Sequence, residues 1–201
     1  MTMIVKKIRL FLTFCLLFSL PVVAQQGTKS FAERLSDAAL EITKDWVRYD
    51  PAYFKIDYPG GDVPANKGVC TDVIIRTYRK LGVDLQKLVH EDMKANFSKY
   101  PNNWGLKKTD TNIDHRRVPN LMVFFSRKGK VKPITDNPAD YLPGDIVTWD
   151  LKNGATHIGI VVNKKSRDGK RYLVVHNIGW GQDVDDCLFS FKKITGHYTF
   201  E

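Results

Sequence analysis

Apolar residues recur at three- and four-residue steps through the first half of the chain and crowd into short β-branched runs in its last third. Two periods mean two kinds of element. Ser30 and Glu33 have the spacing of a capping box, and Phe31, Leu35, Ala38, Ala39, Ile42 and Trp46 keep one face apolar, which predicts a first helix ending before Pro51. The stretch from Asp50 to Val69 carries Pro51, Pro59, Gly60, Gly61 and Pro64 without a clear period and reads as an irregular surface connection. From Thr71 onward Val73, Ile74, Ile75, Tyr78 and Leu81 predict a second helix with a broad buried face, stopped by Gly82. Asp84 then caps a third that carries Leu85, Leu88, Val89 and Met93. The run from Leu121 to Phe125 fits a helix or a strand by period alone; Asn120 as a cap and Gly129 as a stop favour the helix.

Beyond Asp140 the pattern changes. Asp145 to Trp149, His157 to Val162, Tyr172 to His176 and His197 to Phe200 have strand length and strand composition, and Leu188 to Phe191 is a further candidate. Lys164 to Lys170, with Asp168-Gly169 inside it, reads as the hairpin turn between two of these strands. Helices first and closely spaced strands second predict an α+β fold with an antiparallel sheet.

Composition and charge narrow the setting. Lys6, Lys7 and Arg9 precede an apolar run from Leu10 to Leu20, too short to span a bilayer comfortably, and Val22-Val23-Ala24 offers small residues for cleavage. We therefore expect residues 1–24 to be a signal peptide and 25–201 a single exported domain, periplasmic or secreted, with no membrane span after cleavage. Cys15 would leave with the signal. The whole chain has 31 Lys and Arg against 22 Asp and Glu; loss of Lys6, Lys7 and Arg9 leaves 28 against 22, a net of +6. A basic exported surface suits an anionic envelope partner rather than nucleic acid, and equally a plain solvated surface. Cys70 and Cys187 remain, so a disulfide between them competes with a free reactive thiol.

Cys70 stands where the Gly- and Pro-containing connection ends and the second helix begins. Unpaired backbone N–H groups and the positive end of the helix dipole stabilise a thiolate there, which predicts a lowered thiol pKa. Plain burial of a small residue at a helix start is the alternative. His157 opens a strand after the turn Asn153-Gly154-Ala155-Thr156, a position from which an imidazole faces a cleft while the sheet holds it. His176 ends the next strand across the hairpin. In regular register the two rings are neighbours, and His176 would orient His157, with Asn177 competing for that role. The other histidines are weaker candidates: His90 falls on the polar side of its helix, His115 in an exposed basic loop, and His197 is a packed or edge residue of a terminal strand. No HExxH or CxxC spacing is present, and no metal or other cofactor is expected.

Gly68-Val69-Cys70-Thr71-Asp72, Leu142-Pro143-Gly144-Asp145-Ile146-Val147, His157-Ile158-Gly159-Ile160-Val161 and Val174-Val175-His176 resemble the successive blocks of the NlpC/P60 superfamily of papain-like cysteine peptidases. Within it the chain is similar to the DUF1287 family, from about Ala32 to the C-terminus, including Thr111 to Val118 and Gly196-His197-Tyr198. The resemblance implies a papain-like fold with N-terminal helices, the nucleophile at a helix start, packed on a C-terminal antiparallel sheet. It implies Cys70 as nucleophile, His157 as base and His176 as the polar third residue, and amide bonds of peptidoglycan stem peptides as substrate. The superfamily commonly has Asp before and Ser-Gly after its cysteine, where this chain has Val69 and Thr71-Asp72, so specificity is altered more than nucleophilicity. Asp72, Asp114, Arg116, Arg117, Asn177 and Trp180 are candidate substrate contacts. An internal ion pair fits the Asp114–Arg117 loop equally well, and ordinary packing fits Trp104 and Trp180. A monomer is expected. Rival functions are a non-catalytic envelope-binding module on the same fold and a thiol acyltransferase or lipid hydrolase.

Overall fold

The computed structural model describes residues 28–201; the expected signal peptide, Cys15 included, lies outside the described residues. In chain order the elements are α1 (Phe31–Ile42), β1 (Arg48–Tyr49), β2 (Lys67–Gly68), α2 (Cys70–Lys80), α3 (Leu85–Ala95), α4 (Val118–Lys128), β3 (Lys130–Val131), β4 (Ile146–Asp150), β5 (Thr156–Lys165), β6 (Tyr172–Ile178), β7 (Gly181–Asp185) and β8 (Lys193–Thr199). Strands β3-β8-β4-β5-β6-β7 form one antiparallel sheet in that order, and the α+β class holds.

Local chemistry explains the helix ends. Ser30 and Glu33 close a full capping box on α1, and Asp84 accepts from Lys87 N–H at the start of α3. At α2 only half a box is possible, because Val69 has no side-chain acceptor; Asp72 takes the Val69 N–H at 2.7 Å. Trp46 lies beyond α1 and is 70% exposed, since α1 ends at Ile42. The undecided apolar run is helical. It lies within α4, which starts earlier than Asn120, at Val118, with Pro119 tolerated in the first turn. Asn120 caps nothing: its amide donates to Asp114 O at 3.0 Å.

The sheet is covered on both faces, which is why its central strands read as nearly continuous apolar runs. On one face Ile146, Ile158, Ile160, Val162 and Val175 pack against Leu35, Ala39, Cys70, Val73, Ile74, Leu121 and Phe125 of α1, α2 and α4. On the other, Val147, Trp149, Val161 and Val174, with Ile194 of β8, pack beneath Tyr141, Cys187 and Leu188 from the connecting segments. Leu188 to Phe191 forms no strand. It bends across this second face, where Leu188 O accepts the Trp149 indole N–H at 2.9 Å. Strand β7 has the sequence Gly-Gln-Asp-Val-Asp, too polar to signal a strand, and exists because β6 offers it a free edge.

Two features aim the chain at the site. The connection between α1 and α2 is anchored by β1 and β2, paired parallel with Tyr49 opposite Gly68, so Tyr49 stands beside Val69 and Cys70. The hairpin of β5 and β6 turns at Ser166–Arg171, where Asp168 accepts from Ser166 Oγ at 2.6 Å and Gly169 has φ 73°. The β5–β6 pairing runs from Lys165–Tyr172 to Ile160–Val175, with a register shift between Val162 and Lys165. Ahead of Ile160 the two strands part.

Candidate active site

Cys70 is the first residue of α2 and is buried. The backbone amides of Ile158, freed where β5 parts from β6, of Thr71 and of Cys70 itself lie on the sulfur's side and favour its charged form. Amide N–H groups near a helix start favour negative charge on the sulfur. Burial nevertheless dominates. It pushes the Cys70 thiol up to about 12, the nearby Asp72 carboxylate adds to the rise, and the amides only partly oppose it. The lowered pKa expected from helix position is therefore corrected: desolvation of a sulfur packed between α2 and the sheet outweighs the helix end.

His157 lies one residue before that Ile158 amide. Alternation along β5 turns Ile158 towards α2 and His157 towards Trp149, its partner in β4. His157 Nε2 and His176 Nδ1 are 3.0 Å apart, with the rings edge to face. Trp149 and Phe191 close over the pair, their ring centroids 5.8 and 5.1 Å from that of His157. This dry setting pushes His157 down to about 3, first through burial and then through His176; burial likewise lowers His176, against the pull of Asp185 and Asp183. At rest the site holds a neutral thiol and neutral imidazoles. His157 Nδ1 makes no hydrogen bond among the described residues. Gly159 permits the arrangement, since a Cβ there would lie 2.5 Å from Val174 Cγ1 and 3.0 Å from Val175 O.

Cys70 forms part of a cleft of about 220 Å³ lined by Tyr49, Pro51, Val69, Trp104, Arg117, Val118 and Pro119. A larger hollow of about 480 Å³ between α3 and α4 carries no nucleophile. In the cleft Arg117 stacks 4.0 Å over Trp104 and has no ion-pair partner among the described residues. Its neighbour Arg116 is occupied otherwise: its Nε and Nη2 donate to Asp72 at 2.9 and 3.0 Å, both residues being buried. Asp114 is also buried, held by His90 at 3.0 Å and by the Asp110 N–H at 2.8 Å. Asp72 and Asp114 are thus spent inside the protein, and Arg116, which borders the cleft, is tied to Asp72; the loop, expected to be exposed, docks under α3 and buries Asp114, His115 and Arg116. Asn177 points the other way from His176 along β6, its amide 3.4 Å from Gly68 O. It braces the segment before the nucleophile, and His176 alone contacts His157. Trp180 is fully exposed at the β6–β7 turn and lines no part of the cleft.

Several contributors carried no sequence signal. Tyr49, Pro119 and Thr156 enter the cleft through pairings and turns far apart in the chain; Trp104 was open to either role. Cys70 and Cys187 are both free and pack in separate clusters on opposite sides of the sheet, so the disulfide alternative is not realised. His197 is structural as expected, holding Pro133 O at 2.8 Å and Asp145 at 2.7 Å. Among the described residues no helix is long and apolar enough to cross a membrane.

The chain belongs to a defined family: residues 36–200 match the one described as "Domain of unknown function (DUF1287)". It is similar to the "Uncharacterized protein YijF" of Escherichia coli (strain K12), 53% identical over 181 residues that cover 90% of this chain and 86% of that protein.

Proposed function

We propose that this protein is an exported cysteine hydrolase of the NlpC/P60-type, papain-like kind, cleaving amide bonds of peptidoglycan stem peptides through Cys70, His157 and His176. The observation that carries this reading is the His157–His176 contact of 3.0 Å, held one residue from the Ile158 amide that favours charge on the Cys70 sulfur. With Nε2 of His157 donating to His176, Nδ1 is the free base nitrogen. Among the described residues His157 and Cys70 share no hydrogen bond, and His157 does not line the Cys70 cleft, so on this reading Nδ1 and the thiol must approach when substrate binds, with proton transfer accompanying attack rather than preceding it. Nδ1 takes the thiol proton, sulfur bonds to the amide carbonyl, and backbone N–H groups at the start of α2 hold the oxyanion. His157 then gives its proton to the leaving amine, and water releases the acyl group from sulfur. Arg117, free on the cleft wall over Trp104, supplies a cation for a substrate carboxylate. The net positive charge fits an anionic envelope substrate met by a monomer outside the cytoplasm.

The expected result is a loss of about 10³-fold or more in muropeptide cleavage for Cys70→Ala and for His157→Ala, followed by mass spectrometry of purified peptidoglycan. Near wild-type cleavage by either variant overturns the assignment. A second reading, a non-catalytic envelope-binding module on the same fold, draws on the thiol held near 12. Cys70 that resists alkylation across pH 6 to 9 even with bound muropeptide would support it; a Cys70 that alkylates readily favours the enzyme (about this pH range, thiolate fraction sets the rate).

A further inference from the structure

Behind His176, on the side away from His157, lies a group of side chains that the proposed mechanism does not use. A ring nitrogen of His176, a carboxylate oxygen of Asp185 and Cys187 Sγ all lie within 4.8 Å of one another, and with Nδ1 turned to His157 it is Nε2 that faces Asp185. His176 and Cys187 are buried, whereas the Asp185 side chain is 63% exposed and opens the group to solvent. The buried His176 Nε2 has no hydrogen-bond partner; its nearest carboxylate oxygen, on Asp185, is 3.8 Å away. An orphaned imidazole nitrogen in a dry site costs free energy unless something takes its lone pair or its proton. Antiparallel pairing explains the grouping: Val174 opposite Asp185 and His176 opposite Asp183 set the acidic edge strand beside the histidine, and the chain folds back at Cys187.

We propose that His176, Asp185 and Cys187 form a binding site for a thiophilic divalent cation, zinc by preference. One nitrogen, one oxygen and one sulfur donor with an open fourth position is a borderline-soft set suited to zinc rather than to magnesium or calcium. Zinc at about 2.0 Å from nitrogen and oxygen and about 2.3 Å from sulfur needs the three donors to draw together slightly, which the exposed Asp185 permits. Binding replaces the Cys187 thiol proton, which leaves to solvent. The histidines keep one proton each but change its place. Metal on His176 Nε2 puts the His176 proton on Nδ1, which then donates to His157 Nε2, and the His157 proton moves to Nδ1. That is the nitrogen the hydrolase reading needs as base, so on that reading the bound cation silences the site.

The test uses the full chain and cobalt(II) as the probe. Wild type and Cys70→Ser are expected to show thiolate-to-cobalt charge-transfer absorption at one equivalent, removed by zinc, and Cys187→Ala to lack it. Because Cys187 is buried, exposed Asp185→Asn serves as the variant that keeps the fold. It should raise the cobalt concentration needed by about tenfold or more, since even outer-sphere partners are worth that much. A charge-transfer band absent from wild type, unchanged in Cys187→Ala or lost only in Cys70→Ser overturns the site. Since Cys70→Ser lacks the proposed nucleophile, cobalt binding by it stands apart from the hydrolase reading. In wild type, zinc should slow alkylation of Cys70, located by mass spectrometry, with a midpoint that shifts upward in Asp185→Asn. Equal alkylation with and without zinc overturns the coupling between the two sites.

Discussion

At the residue scale the site rests on one conflict, a sulfur whose charged form nearby amides favour and burial opposes. Asp72 deepens the conflict, because its charge raises the thiol, and Arg116 relieves it by pairing with both carboxylate oxygens. Both partners are buried, so removing one leaves an uncompensated charge. Arg116→Met should cost about 3–5 kcal/mol in denaturant unfolding and raise the apparent thiol pKa further. Asp72→Leu combined with Arg116→Met should recover most of that stability. A double variant as unstable as the sum of the two singles would show that the pair does not act as a unit. The residues themselves were visible in the sequence, but their use was not. Charged side chains in a short polar loop fit substrate contacts and internal ion pairs alike until the loop is seen docked against α2 and α3.

At the element scale, β5 and β6 decide whether the two histidines meet. The hairpin turn, with Asp168 and Gly169, is legible from composition, and so is the alternation that puts His157 and His176 near one another. The register shift between Val162 and Lys165 is not, because a bulge depends on how both strands pack on the helices and the second cluster. Gly159 is the sensitive point. Gly159→Ala drives a methyl into Val174 and the Val175 carbonyl, so β6 must shift away and carry His176 with it. The expected cost is about 1–3 kcal/mol of stability, accompanied, on the proposed hydrolase reading, by a fall in turnover far larger than any change in KM. Retained turnover in a destabilised variant would separate the histidine contact from catalysis.

At the scale of the whole molecule, burial of neutral imidazoles sets the response to acid. His157 and His115 are each pushed down to about 3 by burial, and His176 is lowered as well. Below the ordinary histidine value of 6.5 the unfolded chain binds protons that the folded chain refuses. The stability from these groups is thus fully present above pH 6.5 and is lost as the pH falls towards their folded values, by about 1.4 kcal/mol per pH unit for each histidine. The melting temperature should drop steadily from pH 7 to about pH 5, the range above most carboxylate titration. His115→Leu, which replaces a ring whose Nδ1 has no partner, should flatten that slope by one histidine's share. A melting temperature constant over this range would contradict the burial of these rings as neutral groups.

Local pattern by itself determined the order of helices and strands, the capped start of α1, the helix that opens at Cys70, the hairpin that brings two histidines together and the α+β class. Each follows from interactions within a few residues or from a single buried face. Tertiary structure decided the rest. It set how strongly the thiol is desolvated, turned Asp72, Arg116 and Asp114 inward while leaving Arg117 free, brought Tyr49 and Trp104 to the cleft, and made β7 and Cys187 neighbours of His176. The physical reason is that desolvation, ion pairing and edge-strand recruitment depend on which distant surfaces come to lie together, and no run of neighbouring residues records that.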